Sequence, residues 1–449
     1  MSFPRYENYK DSGVEWLGEV PEHWGVAPLK RGFEVRLGKM LQPESSSSHD
    51  ELLPYLRAAN IQWYGVDVSD IKLMWFSQKE RSQLTLQADD LLISEGGDVG
   101  RSALWRGEID NCHFQNSINR VRARESNYGR YLYYWISVIK DKGYIDVLCN
   151  KSTIAHFTAE KVQTVPVPFP APIEQQSIAA FLDRETAKID ALIAEQQRLI
   201  DLLKEKRQAV ISHTVTKGLN PDVPMKDSGI EWLGEVPEHW DVWNVRRIAI
   251  SVQTGGTPSS EPPSTELDDG CVWYTPGDFG EELRLTDSAR KITRAVAASG
   301  EAKLFPKNSV LIVSIGATLG KVGYVEQTSS SNQQINAIIP NNLIDGYFLA
   351  YSLSVKAEVM RFLSNASTIG IMNQEKTKEI LLALPPMIEQ TDITIFLDNE
   401  TAKIDTLTNE AKTAITLLQE RRTALISAAV TGKIDVRDLV SANPVEQAA

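Results

Sequence analysis

The chain has 449 residues, of which 42% are hydrophobic and 24% charged, a composition that indicates a folded globular protein with room for two to four domains. Its three cysteines, Cys112, Cys149 and Cys271, lie far apart, which argues against a disulfide framework and a zinc site. The net charge of −12 by itself disfavours a nucleic-acid-binding protein, but the distribution of the charges matters more than their sum. Because the sequence contains neither a signal-peptide core nor a membrane-length apolar stretch, we expect a cytoplasmic protein.

Two segments of the sequence occur twice in the same order. KDSGVEWLGEVPEHWGV at 10–26 returns as KDSGIEWLGEVPEHWDV at 226–242, with 15 of 17 positions identical. IEQQSIAAFLDRETAKID at 173–190 returns as IEQTDITIFLDNETAKID at 388–405, with 13 of 18 identical. The copies are 216 and 215 residues apart, a period that indicates a duplicated domain rather than a solenoid of short repeats.

The segments between the repeats have diverged almost beyond alignment. Residues 90–94 and 310–314 have the pattern of buried strands, and 131–138 and 347–355 that of short helices, so we predict mixed α/β domains. Polar turns are predicted at 150–154 and 365–369. The two copies agree at their ends and differ in their middles. This suggests that the ends bind the same partner twice, whereas the middles recognise two different features. The predicted segments are a domain at 1–170, a helical spacer at 171–219, a domain at 220–385, a spacer at 386–436 and a flexible tail at 437–449.

Each second repeat opens a long predicted helix, at about 174–217 and 389–431, ended by Gly218 and Gly432. The predicted coiled-coil core, at heptad spacing, consists of Leu182, Ile189, Leu203, Val210, Leu397, Ile404, Leu418 and Leu425. A second seam is assigned to Leu192, Leu199, Leu407 and Ala414, and Ile193 and Ile200 broaden the apolar stripe. Each helix would be ~60 Å long, which exceeds a small domain, so we predict that the two helices pair, in antiparallel fashion.

Catalytic motifs are missing from the sequence. The glycine-rich loop at 315–321 is one residue short of a phosphate-binding loop, and Val322 replaces the hydroxyl residue that would hold magnesium. His23 and His239 recur within the two PEHW sequences, where we interpret them as packing or capping residues. We predict no catalytic residue, metal site or cofactor in this chain.

Basic clusters lie in the divergent middles rather than in the repeats, which favours DNA binding there. Arginine pairs with guanine, and asparagine and glutamine pair with adenine, in the major groove. The candidate DNA-binding residues are Lys39, Arg57, Asn60, Gln62, Arg101, Gln115, Asn116, Thr257, Asp278, Lys321, Gln333 and Gln334.

Together, the KDSG(V/I)EWLGEVPEHW and IEQ…FLD.ETAKID repeats, Gly255–Pro258 and Asn60–Ile61 resemble the specificity subunits of type I restriction-modification systems, over nearly the whole chain. The resemblance implies two target recognition domains separated by two helical spacers in an antiparallel coiled coil. It also implies binding to double-stranded DNA, to two methyltransferase subunits and to two motor-nuclease subunits. S-adenosylmethionine, ATP and magnesium would then belong to those partners.

Two other hypotheses belong to different classes. The chain could be an autonomous DNA methyltransferase or nuclease with a divergent site, which the missing motifs disfavour. It could also be a coiled-coil scaffold that binds only protein, which the basic clusters in both middles disfavour.

Overall fold

The computed structural model describes residues 3–149, 156–267, 269–364 and 370–439. It divides into two compact units, one formed by Met1–Gln196 with Thr413–Ala449 and the other by Gln197–Lys412. The first unit therefore combines both ends of the chain. The turns predicted at 150–154 and 365–369 lie outside the described residues, as does the predicted tail from residue 440 onward.

The first unit is built around a four-stranded antiparallel sheet and a smaller three-stranded sheet. In spatial order the large sheet contains Ser102–Leu104, Leu91–Ser94, Ile118–Ala123 and Phe33–Leu37. The small sheet contains His113–Phe114, Glu51–Leu56 and Lys72–Phe76, and its first two strands are parallel. Its two-stranded pairs are Tyr9–Asp11 with Glu19–Pro21, Gly25–Pro28 with Pro166–Phe169, and Ile61–Gln62 with Gly65–Val66. Its short helices are Gln78–Leu84, Gly129–Asp141, Tyr144–Leu148 and Ala159–Thr164.

The second unit repeats this plan with a five-stranded sheet. In spatial order that sheet contains Ala249–Thr254, Ile335–Pro340, Val310–Val313, Val322–Val325 and Arg284–Leu285. The small sheet contains Lys291–Ile292, Cys271–Tyr274 and Ser329–Ser331, and its last two strands are parallel. The remaining pairs are Met225–Asp227 with Glu235–Pro237 and Asp241–Asn244 with Leu381–Leu384. The short helices are Val245–Ile248, Arg294–Ser299, Gly346–Ser354, Ala357–Leu363 and Gln374–Lys378. The predicted mixed α/β domains are thus confirmed.

The first long helix spans Pro172–Lys217 and the second spans Met387–Val430. In the first unit the beginning of the first helix packs on the end of the second, and Arg422 Nε donates to Asp190 Oδ1 over 2.9 Å. In the second unit the end of the first helix packs beside the beginning of the second, and Arg207 Nε lies 3.6 Å from Asp405 Oδ1. The helices are therefore antiparallel, as predicted. No helix in the described ranges is long and apolar enough to span a membrane.

Most residues of the predicted heptad core are buried. Six of the eight core residues are buried and two are half-buried. The buried six are Leu182, Ile189, Leu203, Leu397, Ile404 and Leu425, and the half-buried two are Val210 and Leu418.

The second seam was predicted on the wrong residues. Leu192, Leu199 and Leu407 are 51%, 41% and 48% exposed. The buried seam follows the first one by four residues instead of three. It contains Thr186, Ile200, Thr401 and Thr408, with Ile193 half-buried. Each threonine hydroxyl is satisfied by the carbonyl four residues earlier, as Thr408 Oγ1 donates to Ile404 O over 2.8 Å. The heptad pattern of apolar residues therefore identified Ile193 and Ile200 but passed over the three threonines.

Candidate nucleic-acid interface

The two repeated segments of the first unit meet at one buried carboxylate. Glu174, in the first turn of the first long helix, accepts hydrogen bonds from Tyr6 Oη at 2.8 Å and Trp24 Nε1 at 3.1 Å. His23 Nε2 lies 3.0 Å from its other oxygen. Burial, followed by the hydrogen bond to Glu174, raises the pKa of the Tyr6 hydroxyl above its usual range. The PEHW sequence therefore joins the start of the unit to the start of the helix.

The second unit builds the same junction from its own repeats. Trp240 Nε1 donates to Glu389 over 2.9 Å, and His239 Nε2 lies 2.7 Å from the same carboxylate. The tryptophans also mark the ends of the helices. Gly218 has a positive φ and packs beside the Trp240 ring, and Gly432 does the same beside Trp24. The histidines are structural, as predicted, because they hold the helix start.

A second junction ties the divergent middle of each unit, residues 30–165 or 246–365, to its long helix; we call these middles the recognition segments. Tyr134 Oη donates to Asp183 over 2.7 Å in the first unit, and Tyr351 Oη donates to Asp398 over 2.7 Å in the second. Both aspartates belong to the repeated FLD sequence, and both tyrosines belong to the helix that follows the large sheet. The repeated segments thus form the same framework in both units. We call the carboxylate junction and the tyrosine–aspartate junction of each unit its frame.

Each frame presents a short turn at the end of the parallel strand pair. In the first unit Asn60 Oδ1 accepts a hydrogen bond from the Arg57 amide over 2.9 Å. In the second, Asp278 Oδ2 accepts from the Thr275 amide at 2.7 Å and from the Thr275 hydroxyl at 2.8 Å. We refer to Arg57–Asn60 and Thr275–Asp278 as the first and second capping turns. Their shapes match, but their side chains differ.

A basic residue approaches each capping turn from a glycine-rich loop. Arg101 Nη2 donates to the Ala58 carbonyl over 3.1 Å, and Lys321 Nζ donates to the Phe279 carbonyl over 2.6 Å. Both residues follow a glycine with positive φ, Gly100 and Gly320. These positive charges are therefore fixed beside the turns and are suited to a phosphate group.

The predicted amide residues lie at the same edge. Gln115 directly follows the strand that runs parallel to Glu51–Leu56, and its backbone N–H donates to Leu56 O over 2.9 Å. Asn116 is the next residue in the sequence. In the second unit Gln333 Oε1 accepts from the Thr257 hydroxyl over 3.1 Å.

Gln334 follows directly, and its side-chain oxygen accepts from Asn332 over 3.0 Å. The structure thus brings predicted residues from separate parts of the sequence together around each capping turn.

Two candidate residues belong to the framework instead. Lys39 is 9% exposed at its side chain, and its amine donates to Trp75 O over 2.9 Å and to Glu80 over 2.6 Å. Burial acts to raise the pKa of Glu80, but the hydrogen bond from Lys39 brings it below its usual value. Asn60 is buried, and its amide group donates to the carbonyls of Asp67 and Asp70. Neither side chain is free to read a base, which corrects the prediction for both.

Arg57 and Gln62 are half-buried and partly occupied by the protein. Arg57 Nη2 donates to Asp70 Oδ2 over 2.7 Å. The hydrogen bond from Lys72, followed by the one from Arg57, lowers the pKa of Asp70. Gln62 Nε2 donates to Ala59 O over 2.9 Å. Their predicted contact with DNA remains a prediction. Trp63 and Tyr64, which follow directly, are exposed aromatic residues that the sequence reading missed, although an aromatic pair before Gly65 is a visible signal.

Comparison with known protein families identifies the family of this chain. The family model for the type I restriction modification DNA specificity domain matches residues 21–201 and again 237–417. The chain belongs to this family. Each match covers one divergent middle, one copy of the second repeated segment and the last residues of the first repeated segment, in agreement with the resemblance seen in the sequence.

Individual relatives span nearly the whole chain. The StySPI specificity subunit of Salmonella potsdam is 22% identical, over 93% of this chain and 90% of the relative. The EcoKI specificity subunit of Escherichia coli K12 is 21% identical, over the same shares. The fold is similar to the HsdS subunit of Thermoanaerobacter tengcongensis, with a TM-score of 0.56 and 16% identity over 92% of this chain and 98% of that one. A chain from a structure on complex assembly and conformational transition of the type I R-M system gives 0.69, with 14% identity over the same shares.

The chain is therefore a DNA sequence-specificity subunit of a type I restriction-modification complex, and its partners are DNA and a methyltransferase. As a specificity subunit it is not itself an enzyme. Neither an autonomous enzyme nor a protein-only scaffold is favoured by these findings. In the part of the chain that the structure describes, no group of three or more histidine, cysteine or acidic residues could hold a metal ion.

Proposed function

We propose that this chain reads a bipartite, asymmetric DNA target, with one recognition segment for each half-site. The observation that carries the proposal is the contrast within each unit. The carboxylate junctions at Glu174 and Glu389 are built alike, whereas the capping turns present Arg57 in one unit and Thr275 in the other. A repeated frame with different turns suits two half-sites of different sequence.

A domain exchange tests this division of labour. Replacing residues 30–165 with the equivalent segment of another family member should change the bases of one half-site only. Replacing 246–365 should change only the other half-site. Sequencing of methylated sites in a host that expresses the chain with its methyltransferase reports both outcomes. The proposal fails if either exchange alters both half-sites or leaves both unchanged.

Two methyltransferase copies would bind at the two matched helix starts. Ile173 is 72% exposed and Ile388 is 77% exposed, and each directly precedes the glutamate of its junction. Exposed isoleucines at equivalent positions are suited to two copies of one apolar partner surface. Ile173→Glu should remove one methyltransferase from the complex, and the double change with Ile388→Glu should remove both, as measured by native mass spectrometry. Val147→Glu, at another exposed apolar residue, should leave the stoichiometry unchanged.

The chemistry would belong to the partners. S-adenosylmethionine and the flipped adenine would be held by the methyltransferase subunits, and ATP and magnesium by two motor-nuclease subunits, in the cytoplasm. Purified without partners, this chain should show no methyltransferase activity. Restored methylation on adding the methyltransferase subunit would support the assignment, and activity of the isolated chain would contradict it.

The antiparallel helices would set the distance between the half-sites. The residue numbers in the ion pairs Asp190–Arg422 and Arg207–Asp405 both add up to 612, which gives the matched positions for an insertion. One heptad inserted after Gln196 and another after Ile415 should lengthen both helices by ~10 Å. That length corresponds to about three base pairs, so the accepted spacer should grow while the half-site bases stay the same. An unchanged spacer in the methylated sites would refute the role of the helices.

A further inference from the structure

The hairpin after the first capping turn ends in two aromatic residues. Ile61 pairs with Val66 and Gln62 with Gly65, so Trp63 and Tyr64 form a two-residue tip. Tyr64 is 81% exposed and Trp63 is 38% exposed. Because the Tyr64 ring is not buried against the rest of the protein, its apolar surface is available to a ligand.

The tip is held rigidly from several sides. Tyr133 Oη, on the helix behind the hairpin, donates to the Trp63 carbonyl over 3.1 Å. At the base of the hairpin the Asn60 amide group donates to Asp67 O over 2.8 Å, and the Asp67 amide donates back to Asn60 O over 2.8 Å. Ile61 is fully buried beneath the hairpin. Because the backbone is already fixed, little conformational entropy is lost when the tip binds.

The surroundings of the tip indicate nucleic acid rather than an apolar protein surface. Gln62 precedes it directly, and Arg57 lies at the start of the capping turn. Trp63 and Tyr64 line a groove of about 940 Å³ whose charged residues are three arginines and three aspartates. Two of the arginines pair with aspartates of the groove, as Arg130–Asp183 and Arg422–Asp190, whereas Arg106, near the tip, is exposed. An aromatic ring accompanied by arginine and amide groups combines base stacking with contacts to phosphates and base edges.

The second unit has a different side chain chemistry at this place. After the second capping turn the chain continues through Gly280, Glu281 and Glu282, which are exposed, and then enters the large sheet at Arg284. The residues between the second capping turn and that strand include no aromatic side chain except the buried Phe279. The aromatic tip is thus specific to the first unit.

We infer that Tyr64 is a wedge that inserts between adjacent bases of the half-site read by the first unit, with Trp63 supporting it. This inference rests on the proposed reading of a bipartite target and deepens it. Insertion of an apolar side chain unstacks one base step and kinks the duplex. The energetic cost depends on the base step, so the wedge adds specificity at a position that no hydrogen bond reads.

The test uses the complete complex of this chain with its methyltransferase and a duplex carrying the methylated target. 2-Aminopurine is placed in turn at each position of both half-sites, since its fluorescence rises when it is unstacked. Besides any rise at an adenine that the methyltransferase flips, we expect one further rise, at a step of the first half-site, with the wild-type complex. Tyr64→Ala should abolish that rise and weaken binding by about 5- to 100-fold, the value of one stacked base. Tyr64→Phe, which keeps the ring, should retain both.

The outcomes separate the wedge from the wider proposal. If the wild-type complex does not bind the methylated target more tightly than an unrelated duplex, the proposed function itself fails. If the wild type binds specifically and Tyr64→Ala binds equally well, with the same fluorescence, the wedge is refuted. If Tyr64→Ala instead loses the methyltransferase subunit, the tip docks a protein, and the wedge is refuted as well.

Discussion

Trp24 and Glu174, 150 residues apart in the sequence, are joined by a 3.1 Å hydrogen bond that ties the first repeated segment to the second. Trp240 and Glu389 repeat this bond in the other unit. The relationship explains why the two repeats occur together: each needs the other to complete its packing. It also means that the start of each long helix is positioned by a segment from the start of its own unit.

Loss of the Glu174 carboxylate should destabilise the first unit. In Glu174→Ala the buried Trp24 indole and Tyr6 hydroxyl lose their acceptor, at a cost of about 3 kcal/mol in the free energy of unfolding. Glu389→Ala should cost less, about 1 kcal/mol, because the Glu389 side chain is partly exposed to water. Urea denaturation followed by tryptophan fluorescence measures both. Equal losses in the two variants would contradict the difference in burial.

The seam of the long helices can be tested at neighbouring positions. Ile189→Ala removes a buried side chain and should lower the free energy of unfolding by about 2 to 4 kcal/mol. Leu192→Ala, on the exposed face, should change it by less than about 0.5 kcal/mol. Thermal denaturation of the isolated chain distinguishes the two. A larger effect at Leu192 would restore the seam predicted from the sequence.

The two capping turns should respond differently to an exchange of amide and carboxylate. Asn60→Asp replaces a donor of two hydrogen bonds by a carboxylate facing carbonyl oxygens, so it should destabilise the chain by about 2 kcal/mol. Asp278→Asn keeps an acceptor for the Thr275 amide and should cost less than about 1 kcal/mol. The same denaturation assay compares them. The interpretation of Asn60 as a framework residue is wrong if Asn60→Asp is as stable as the wild type.

Lys356 should give the second unit a pH-dependent stability. Burial lowers the pKa of its amine to about 8, below the ordinary 10.5, while the Trp232 ring 4.5 Å away favours the charged form. Between these values the unfolded chain binds the proton more tightly than the folded one. The contribution of Lys356 to stability therefore rises as the pH rises through that window.

Replacing Lys356 by methionine tests this effect. Lys356→Met should raise the free energy of unfolding near pH 7 by on the order of 2 kcal/mol, because a buried charge is removed. The difference from the wild type should shrink as the pH approaches 10.5. Lys10→Met, at an exposed lysine, serves as the control. A difference that is constant across the pH range would show that the amine is not desolvated.

Much of the fold could be predicted because it is encoded locally. The heptad spacing and the glycines after each helix predicted both long helices to within about two residues of Pro172–Lys217 and Met387–Val430. Continuous apolar runs identified the buried strands Leu91–Ser94 and Val310–Val313. These features depend on neighbouring residues, and the duplication let each copy support the prediction for the other.

The candidate site was less predictable because hydrogen bonding depends on distant residues. Lys39 and Arg101 are both basic residues in the recognition segment, yet the first is bonded to Glu80 and the second lies beside the capping turn. Nothing near either residue in the sequence distinguishes them. The exposed tip at Tyr64 was missed for a different reason: two adjacent aromatic residues are usually interpreted as part of the hydrophobic core.

The sequence by itself determined that two similar units are joined by two long helices, and that the recognition segments differ while their frames agree. Only the tertiary structure decided which polar groups remain free at the capping turns, and which face of each helix is buried. The physical reason is that a side chain is satisfied by whatever the folded chain brings within about 3 Å. Thr408 illustrates this, because its hydroxyl is satisfied within the helix and it takes the buried place that the sequence assigned to Leu407.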